Sequence, residues 1–210
     1  MESKEDSQIS IKLLVLGDSA VGKTSILIRY VENSFDECCI STLGVDYKVK
    51  YIKYKNIKIK LQLWDTSGEE KYRSISTNLI RNTQGLLIVF DLTNEESFRN
   101  IKDWINAADD YNQNLKKILI GNKLDLEDER KVNNEALINF ANNKNIKFFE
   151  TSAKDGTNIE EAFKALVDLL FENKTEQEII EEYGNQDTSF SIESEKKDKK
   201  KKKKNKKDCC

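Results

Sequence analysis

The chain has 210 residues with 38% apolar content, enough for one well-buried domain and too few for two ordinary ones. Its formal net charge of -2 hides an asymmetry: residues 196–208 hold ten Lys and two Asp, which leaves twenty-five basic and thirty-five acidic residues in 1–195. An acidic body argues against a nucleic-acid surface, while the compact Lys run beside the C-terminus is drawn to anionic lipid or another acidic surface.

In chain order, residues 1–8 are polar and acidic, unlike a secretory leader, and read as a flexible N-terminus. From Ile9 short apolar runs alternate with longer amphipathic stretches, the pattern of strands and crossover helices in a layered α/β domain. Ile11 to Leu16 is the first strand, and Thr24 to Val31 is a helix opened by a glycine-bearing turn. Cys38-Cys39 follows; like the terminal pair Cys209-Cys210 it lacks metal-ligand spacing, and with no His in the chain zinc is not expected. No cation adjoins Cys38 or Cys39 in sequence, so both read as unreactive thiols in a reducing cytosol.

Val45 to Tyr54 and Ile57 to Trp64 read as a hairpin turned at Lys55-Asn56, with Ile57, Ile59, Leu61 and Leu63 alternating against Lys58, Lys60 and Gln62. Leu86 to Phe90 and Ile118 to Ile120 are unbroken apolar runs, expected for buried parallel strands at the centre of the sheet. Helices are predicted over Glu95 to Tyr111 and Asn134 to Asn142, then a strand at Lys147 to Glu150 and a last helix from Asn158 to Phe171. For that helix, Thr157 and Glu160 fit a capping box. Phe98 and Trp104 read as core residues. The expected domain is 9–173; residues 174–210 read as a disordered tail, and no apolar run approaches the ~20 residues of a membrane span.

Gly17-Asp18-Ser19-Ala20-Val21-Gly22-Lys23-Thr24, with Ser25 beyond it, is a complete phosphate-binding loop between a strand and a helix. There the backbone N–H groups and the helix dipole cradle phosphate oxygens, Lys23 reaches the terminal phosphates, and the Thr24 hydroxyl coordinates Mg²⁺. Asn122-Lys123-Leu124-Asp125, directly after a buried strand, carries the choice of base. The Asp125 carboxylate can accept from guanine N1–H and N2–H₂, donors that adenine lacks, and a buried Asp125 would be left unpaired by ATP. Asn122 would brace the loops, the Lys123 stem would cover the base, and Ser152-Ala153-Lys154 would supply the remaining wall.

With these residues the chain resembles a Ras-superfamily small GTPase, and within it the Rab group, over about residues 9–172. The resemblance implies a P-loop G domain: a six-stranded, mostly parallel sheet flanked by helices, binding GTP or GDP with Mg²⁺. Ser41 to Tyr47 resembles the Rab effector loop, with Thr42 meeting Mg²⁺ and the γ-phosphate. Lys60 to Gly68 resembles the strand entering the second switch, with Asp65 holding Mg²⁺ through water and the Gly68 N–H sensing the γ-phosphate. Phe35 falls where the family stacks an aromatic on guanine. Lys23, Thr42, Gly68 and Glu69 are then the residues expected to act in hydrolysis.

Two departures stand out. Glu69 replaces the usual Gln after the Asp-x-x-Gly of the second switch, keeping an acceptor for water but losing the amide donor and adding negative charge near phosphate. Leu79-Ile80-Arg81 lacks the two tyrosines of many Rabs, so the effector triad becomes Tyr47, Trp64 and Leu79. The ending Cys209-Cys210 resembles the doubly geranylgeranylated terminus of Rabs. Two lipid chains with Lys196 to Lys207 suffice for stable attachment to the cytoplasmic face of an intracellular or plasma membrane. By resemblance the partners are an exchange factor, an activating protein, a GDP-dissociation inhibitor and effectors in vesicle trafficking, with no nucleic acid. Two other readings stay open at the sequence level: a membrane scaffold that binds GTP but hydrolyses negligibly because of Glu69, and a P-loop ATPase or kinase, which Asp125 disfavours.

Overall fold

The computed structural model describes residues 9–37, 42, 44–67, 79–80 and 83–184. Successive side chains of a strand face opposite ways, and in β1 (Ile9–Leu16) both faces are apolar from Leu13 onward. Leu13 and Val15 enter one buried cluster, and Leu14 and Leu16 enter a second. β4 (Gly85–Asp91) divides in the same way, with Leu87 and Val89 on one side and Leu86, Ile88 and Phe90 on the other. Strands apolar on both faces need cover on both, which parallel pairing with crossover helices provides.

The other strands are β2 (Val45–Tyr54), β3 (Ile57–Thr66), β5 (Lys116–Asn122) and β6 (Lys147–Glu150), and the sheet order is β2-β3-β1-β4-β5-β6. β2 and β3 are antiparallel; every other neighbouring pair is parallel. The expected six-stranded, mostly parallel sheet is therefore present. Its middle is β1 and β4, with β5 between β4 and the edge strand β6, so β5 is less central than its apolar run suggests.

The helices are α1 (Lys23–Glu32), α2 (Glu95–Arg99), α3 (Ile101–Asp109), α4 (Asn134–Lys144), α5 (Ile159–Leu170) and α6 (Glu176–Tyr183). Ile26 and Leu27 of α1 with Phe163 and Leu166 of α5 cover the first face. Trp104 and Ile105 of α3 with Leu137 and Ala141 of α4 cover the second. In the hairpin, Ile57, Ile59, Leu61 and Leu63 are buried while Lys58, Lys60 and Gln62 are half-buried, as the alternation predicts.

Three local expectations are corrected. The single helix over Glu95 to Tyr111 is two helices, and they part at Asn100, whose side chain donates to Asp18 Oδ2 at 2.8 Å. The capping box at Thr157 does not form: Asn158 is the N-cap in a left-handed conformation, and Thr157 instead donates its N–H and hydroxyl to Asp155 Oδ1 at 2.8 and 2.6 Å. Ordered chain also runs past Asn173. A capping box between Thr175 and Glu178 starts α6, Ile179 and Tyr183 are buried in the first cluster, and the Tyr183 ring meets Phe171 edge-on at 5.7 Å. Two apolar residues four apart make too faint a stripe to announce a helix from sequence, but they bury on one face.

Candidate functional site

Because β1, β3, β4, β5 and β6 run parallel, their carboxyl ends share one edge of the sheet, where open α/β sheets bind ligands. Loops from β1, β3, β5 and β6 surround a cleft of about 380 Å³ there. Gly17 and Gly22 hold the first loop in positive-φ turns. A Cβ on Gly17 would lie 2.1 Å from Val89 O, and one on Gly22 2.3 Å from Asn122 Nδ2. Ala20 takes φ 62, a left-handed conformation that a side chain disfavours.

On one side of the cleft Asn122, 2% exposed, ties three loops together. Its Nδ2 donates to Val21 O at 3.0 Å, and its Oδ1 accepts from Ala153 N at 3.2 Å and Thr151 Oγ1 at 3.3 Å. Ser152 Oγ donates to Asp125 Oδ1 at 2.7 Å, and Lys123 Nζ pairs with Asp91 Oδ2 at 2.6 Å. Asp125 itself is exposed on the cleft wall, not buried as the sequence argument assumed.

On the other side Thr24 Oγ1 donates to Asp65 Oδ2 at 2.5 Å, Thr42 Oγ1 donates to the same oxygen at 3.2 Å, and the two hydroxyls lie 2.7 Å apart. Asp65 is 1% exposed, and its Oδ1 has no hydrogen-bond partner among the described residues. Burial raises its carboxyl pKa, against the lowering effects of the Thr24 hydrogen bond, the Lys23 charge and the Thr42 hydrogen bond. Two hydroxyls beside a buried carboxylate with an orphan oxygen are hard oxygen donors, and they suit Mg²⁺. No cluster of three His, Cys, Asp or Glu side chains exists among the described residues, so this donor set depends on threonine.

Lys23 is 5% exposed, and its Nζ donates to Asp18 O at 2.6 Å. Burial lowers its pKa to about 8, although the charges of Asp65 and Asp18 oppose the shift. The Asp18 side chain turns away from the cleft and accepts from Trp104 Nε1 and Asn100 Nδ2, each at 2.8 Å. Trp104 is thus both core and support for the phosphate-binding loop. A buried indole N–H needs an acceptor, and that requirement was the one sequence signal that could have found the contact.

Most expected site residues meet in this cleft: Ser19, Ala20, Gly22, Lys23, Thr24 and Ser25 from the first loop and helix, then Phe35 and Thr42, then Asn122, Lys123, Asp125, Ala153 and Lys154. Gly17, Asp18, Val21, Asp65 and Ser152 support it from behind. Phe35 also packs on the first core cluster. Asp36, Glu37, Thr66, Ser67 and Leu126 line the cleft without having been anticipated, and none has a residue type that marks it in sequence. Gly68, Glu69, Cys38, Cys39, Cys209 and Cys210 lie outside the described residues. Beyond the cleft, Tyr47 is exposed and its ring stands 5.1 Å from that of Trp64, while Leu79 packs on the same cluster as Trp64.

A six-stranded, mostly parallel sheet that gathers the Gly17–Thr24 loop, the Asn122–Asp125 run and the Thr24, Thr42 and Asp65 oxygens at one edge has the architecture of a P-loop G domain. The family model described as the Ras family matches residues 12–172. The chain is 43% identical over 175 residues to Ras-related protein Rab-3A of Homo sapiens, covering 83% of this chain and 80% of that protein. It is 44% identical to Ras-related protein Rab-13 of Canis lupus familiaris (77% and 81% covered), and 44% identical to Ras-related protein RABD2a of Arabidopsis thaliana (79% and 82% covered). The chain belongs to the Ras family, as a Rab-type small GTPase: it binds GTP and GDP with Mg²⁺, hydrolyses GTP, and switches between regulators and effectors in vesicle trafficking. Among the described residues no helix is long and apolar enough to cross a membrane.

Proposed function

We propose the following roles for individual residues. Backbone N–H groups from Ser19 to Thr24, at the positive end of α1, cradle the phosphates of the bound nucleotide, and Lys23 supplies countercharge. Asp125 accepts from guanine, Asn122, Lys123, Ala153 and Lys154 complete the base wall, and Phe35 stacks on the base. Thr24, Thr42 and, through water, Asp65 hold Mg²⁺, which neutralises phosphate charge when bound. Thr42 and the Gly68 N–H respond to the γ-phosphate, so its loss frees both switch segments. The observation that carries this reading is that Thr24 and Thr42, in the cleft that Asp125 also lines, both bond to the half-satisfied carboxylate of Asp65 just behind it.

Competition of GDP, ADP and xanthosine diphosphate for the chain tests the base assignment. GDP should win over ADP by ~10⁴-fold if the bound base covers Asp125 from water, because adenine would then leave its carboxylate without the two guanine donors. Asp125→Asn should shift preference to the xanthine nucleotide, whose C2 carbonyl accepts from the new amide. Unchanged preference would overturn the assignment.

Glu69 accepts a hydrogen bond from the attacking water and so preserves measurable turnover without the amide. In single-turnover release of γ-phosphate, Glu69→Leu should be slower than the parent. A parent no faster than Glu69→Leu would show that Glu69 contributes nothing. Cys209 and Cys210 carry geranylgeranyl groups that, with Lys196 to Lys207, hold the domain on the cytoplasmic face of a membrane. Deleting both cysteines should move the protein to the soluble fraction with nucleotide binding intact; retention on membranes would contradict the anchor.

A further inference from the structure

The last turn of α1 carries a guanidinium that faces away from the phosphates. Arg29 Nε donates to Ala153 O at 2.8 Å and Nη2 to Lys154 O at 2.5 Å, so one edge of its fork spans two consecutive carbonyls of the base wall. Nη1 donates to Asn33 O at 3.0 Å and Asn33 Oδ1 at 3.3 Å. Asn33 is the left-handed C-cap of α1, and its N–H returns to Arg29 O at 3.0 Å. Two residues on stands Phe35, and beyond it Glu37 meets Lys154 Nζ at 3.2 Å. One half-exposed side chain therefore joins the end of the phosphate-loop helix, the base wall and the entry to the first switch segment.

We infer that Arg29 is a positioning residue that limits guanine-nucleotide release, by clamping the Ala153-Lys154 wall to the segment that carries Phe35. The inference rests on the nucleotide reading of the cleft. Ala153 has Asn122 holding its N–H and Arg29 holding its carbonyl, so the wall is fixed from both sides. Releasing Arg29 loosens the base wall and the Asn33 cap together. The phosphate end is spared, because Arg29 lies six residues past Lys23, about 9 Å along the helix axis. The planar fork matters: an ammonium is a single point of charge and cannot meet two adjacent carbonyls and a third across the cap in one geometry.

The full chain is loaded with a fluorescent N-methylanthraniloyl GDP, and its release into excess GDP with Mg²⁺ is timed for the parent, Arg29→Ala, Arg29→Lys and Lys117→Ala. Lys117 pairs with Asp109 away from the cleft, so that variant controls for general loss of stability. Release from Arg29→Ala should be at least ~10-fold faster, as expected for lost charge-assisted hydrogen bonds. Arg29→Lys should release at least threefold faster and so fail to rescue. Single-turnover hydrolysis of preloaded GTP should be unchanged in both Arg29 variants, and Lys117→Ala should release at the parent rate even with a lower Tm.

If Arg29→Ala does not fold, Arg29→Lys decides, and a parental rate there overturns the inference. Release from Arg29→Ala within twofold of the parent, or faster release matched by Lys117→Ala at equal Tm, also overturns it. A parent that fails to retain the labelled GDP overturns the nucleotide reading and the clamp with it, whereas retention with unchanged variants overturns the clamp alone.

Discussion

The two halves of the cleft are built on opposite plans. On the proposed base side the polar groups satisfy one another: both ends of the buried Asn122 amide are bonded, the exposed Asp125 is held by Ser152, and Lys123 is paired with Asp91. On the metal side Asp65 keeps a buried oxygen without a partner among the described residues, and Lys23 sits where burial disfavours its own charge. A network whose members are all bonded is rigid, and leaving a buried polar group unpaired is costly. On the roles proposed above, the base wall would be ready before a ligand arrives, and the phosphate and metal corner would be completed by the charges the ligand brings.

The largest effect should come from breaking the finished half. Asn122→Ala removes the brace of three loops and strands their partners; ~3 kcal/mol of lost and unpaired hydrogen bonds corresponds to roughly 100-fold faster GDP release. Stopped-flow release would measure it, and a change under threefold would mean that the wall does not depend on Asn122. Asp65→Asn attacks the other half. If Asp65 acts on the metal through water, Mg²⁺ affinity should fall about 10- to 100-fold, as for other outer-shell partners of a metal. GDP release in excess chelator should then match the parent, and a variant with unchanged Mg²⁺ dependence would remove Asp65 from the metal site.

A pH titration sharpens the contrast further. Lys23 titrates at about 8 in the folded protein and near ~10.4 in an unfolded chain, so between those values the unfolded state binds more protons. Stability of the nucleotide-free protein should rise with pH across that window, because deprotonation there relieves a buried charge. GDP affinity should fall over the same range, by at most ~10-fold per pH unit, since binding must return the proton to the ammonium. Calorimetry in buffers of different ionisation enthalpy would detect the proton uptake, and its absence above pH 8 would contradict the role given to Lys23. The smallest effect belongs to Ala20→Gly, which relieves a left-handed alanine but loosens the unfolded chain; the net gain should not exceed ~1 kcal/mol, read as a Tm rise of a few degrees. A lower Tm would show that the methyl contacts and the added freedom of the unfolded chain together outweigh the strain at Ala20.

What was legible in the sequence was local. The phosphate-binding loop, the Asn122 to Asp125 run and the alternation in the hairpin are short patterns whose physics needs only near neighbours, and the structure brings them to one edge. What escaped was made by distant pairs. Asp18 meets Trp104 across 86 residues and Arg29 meets Ala153 across 124; a core Trp104 signals that it needs an acceptor but not which one, and nothing near Arg29 signals its partner. The same holds at the domain's end. Thr157-Glu160 and Thr175-Glu178 are the same pattern, yet an Asp two residues upstream captures Thr157 and only the second pair caps a helix.

The most direct test of the two-plan account is amide hydrogen exchange on the GDP-loaded chain, compared with Mg²⁺ present and with Mg²⁺ chelated. If the base wall is complete in itself and the metal corner depends on its ligand, chelation should raise exchange at Thr42, at Val45 and Asp46, and at Asp65 to Ser67. Exchange at Ile118 to Asn122 and Thr151 to Ala153 should stay as it was. Deprotection of both halves to the same extent would show that the cleft is held together as one unit by the metal, and would contradict the account.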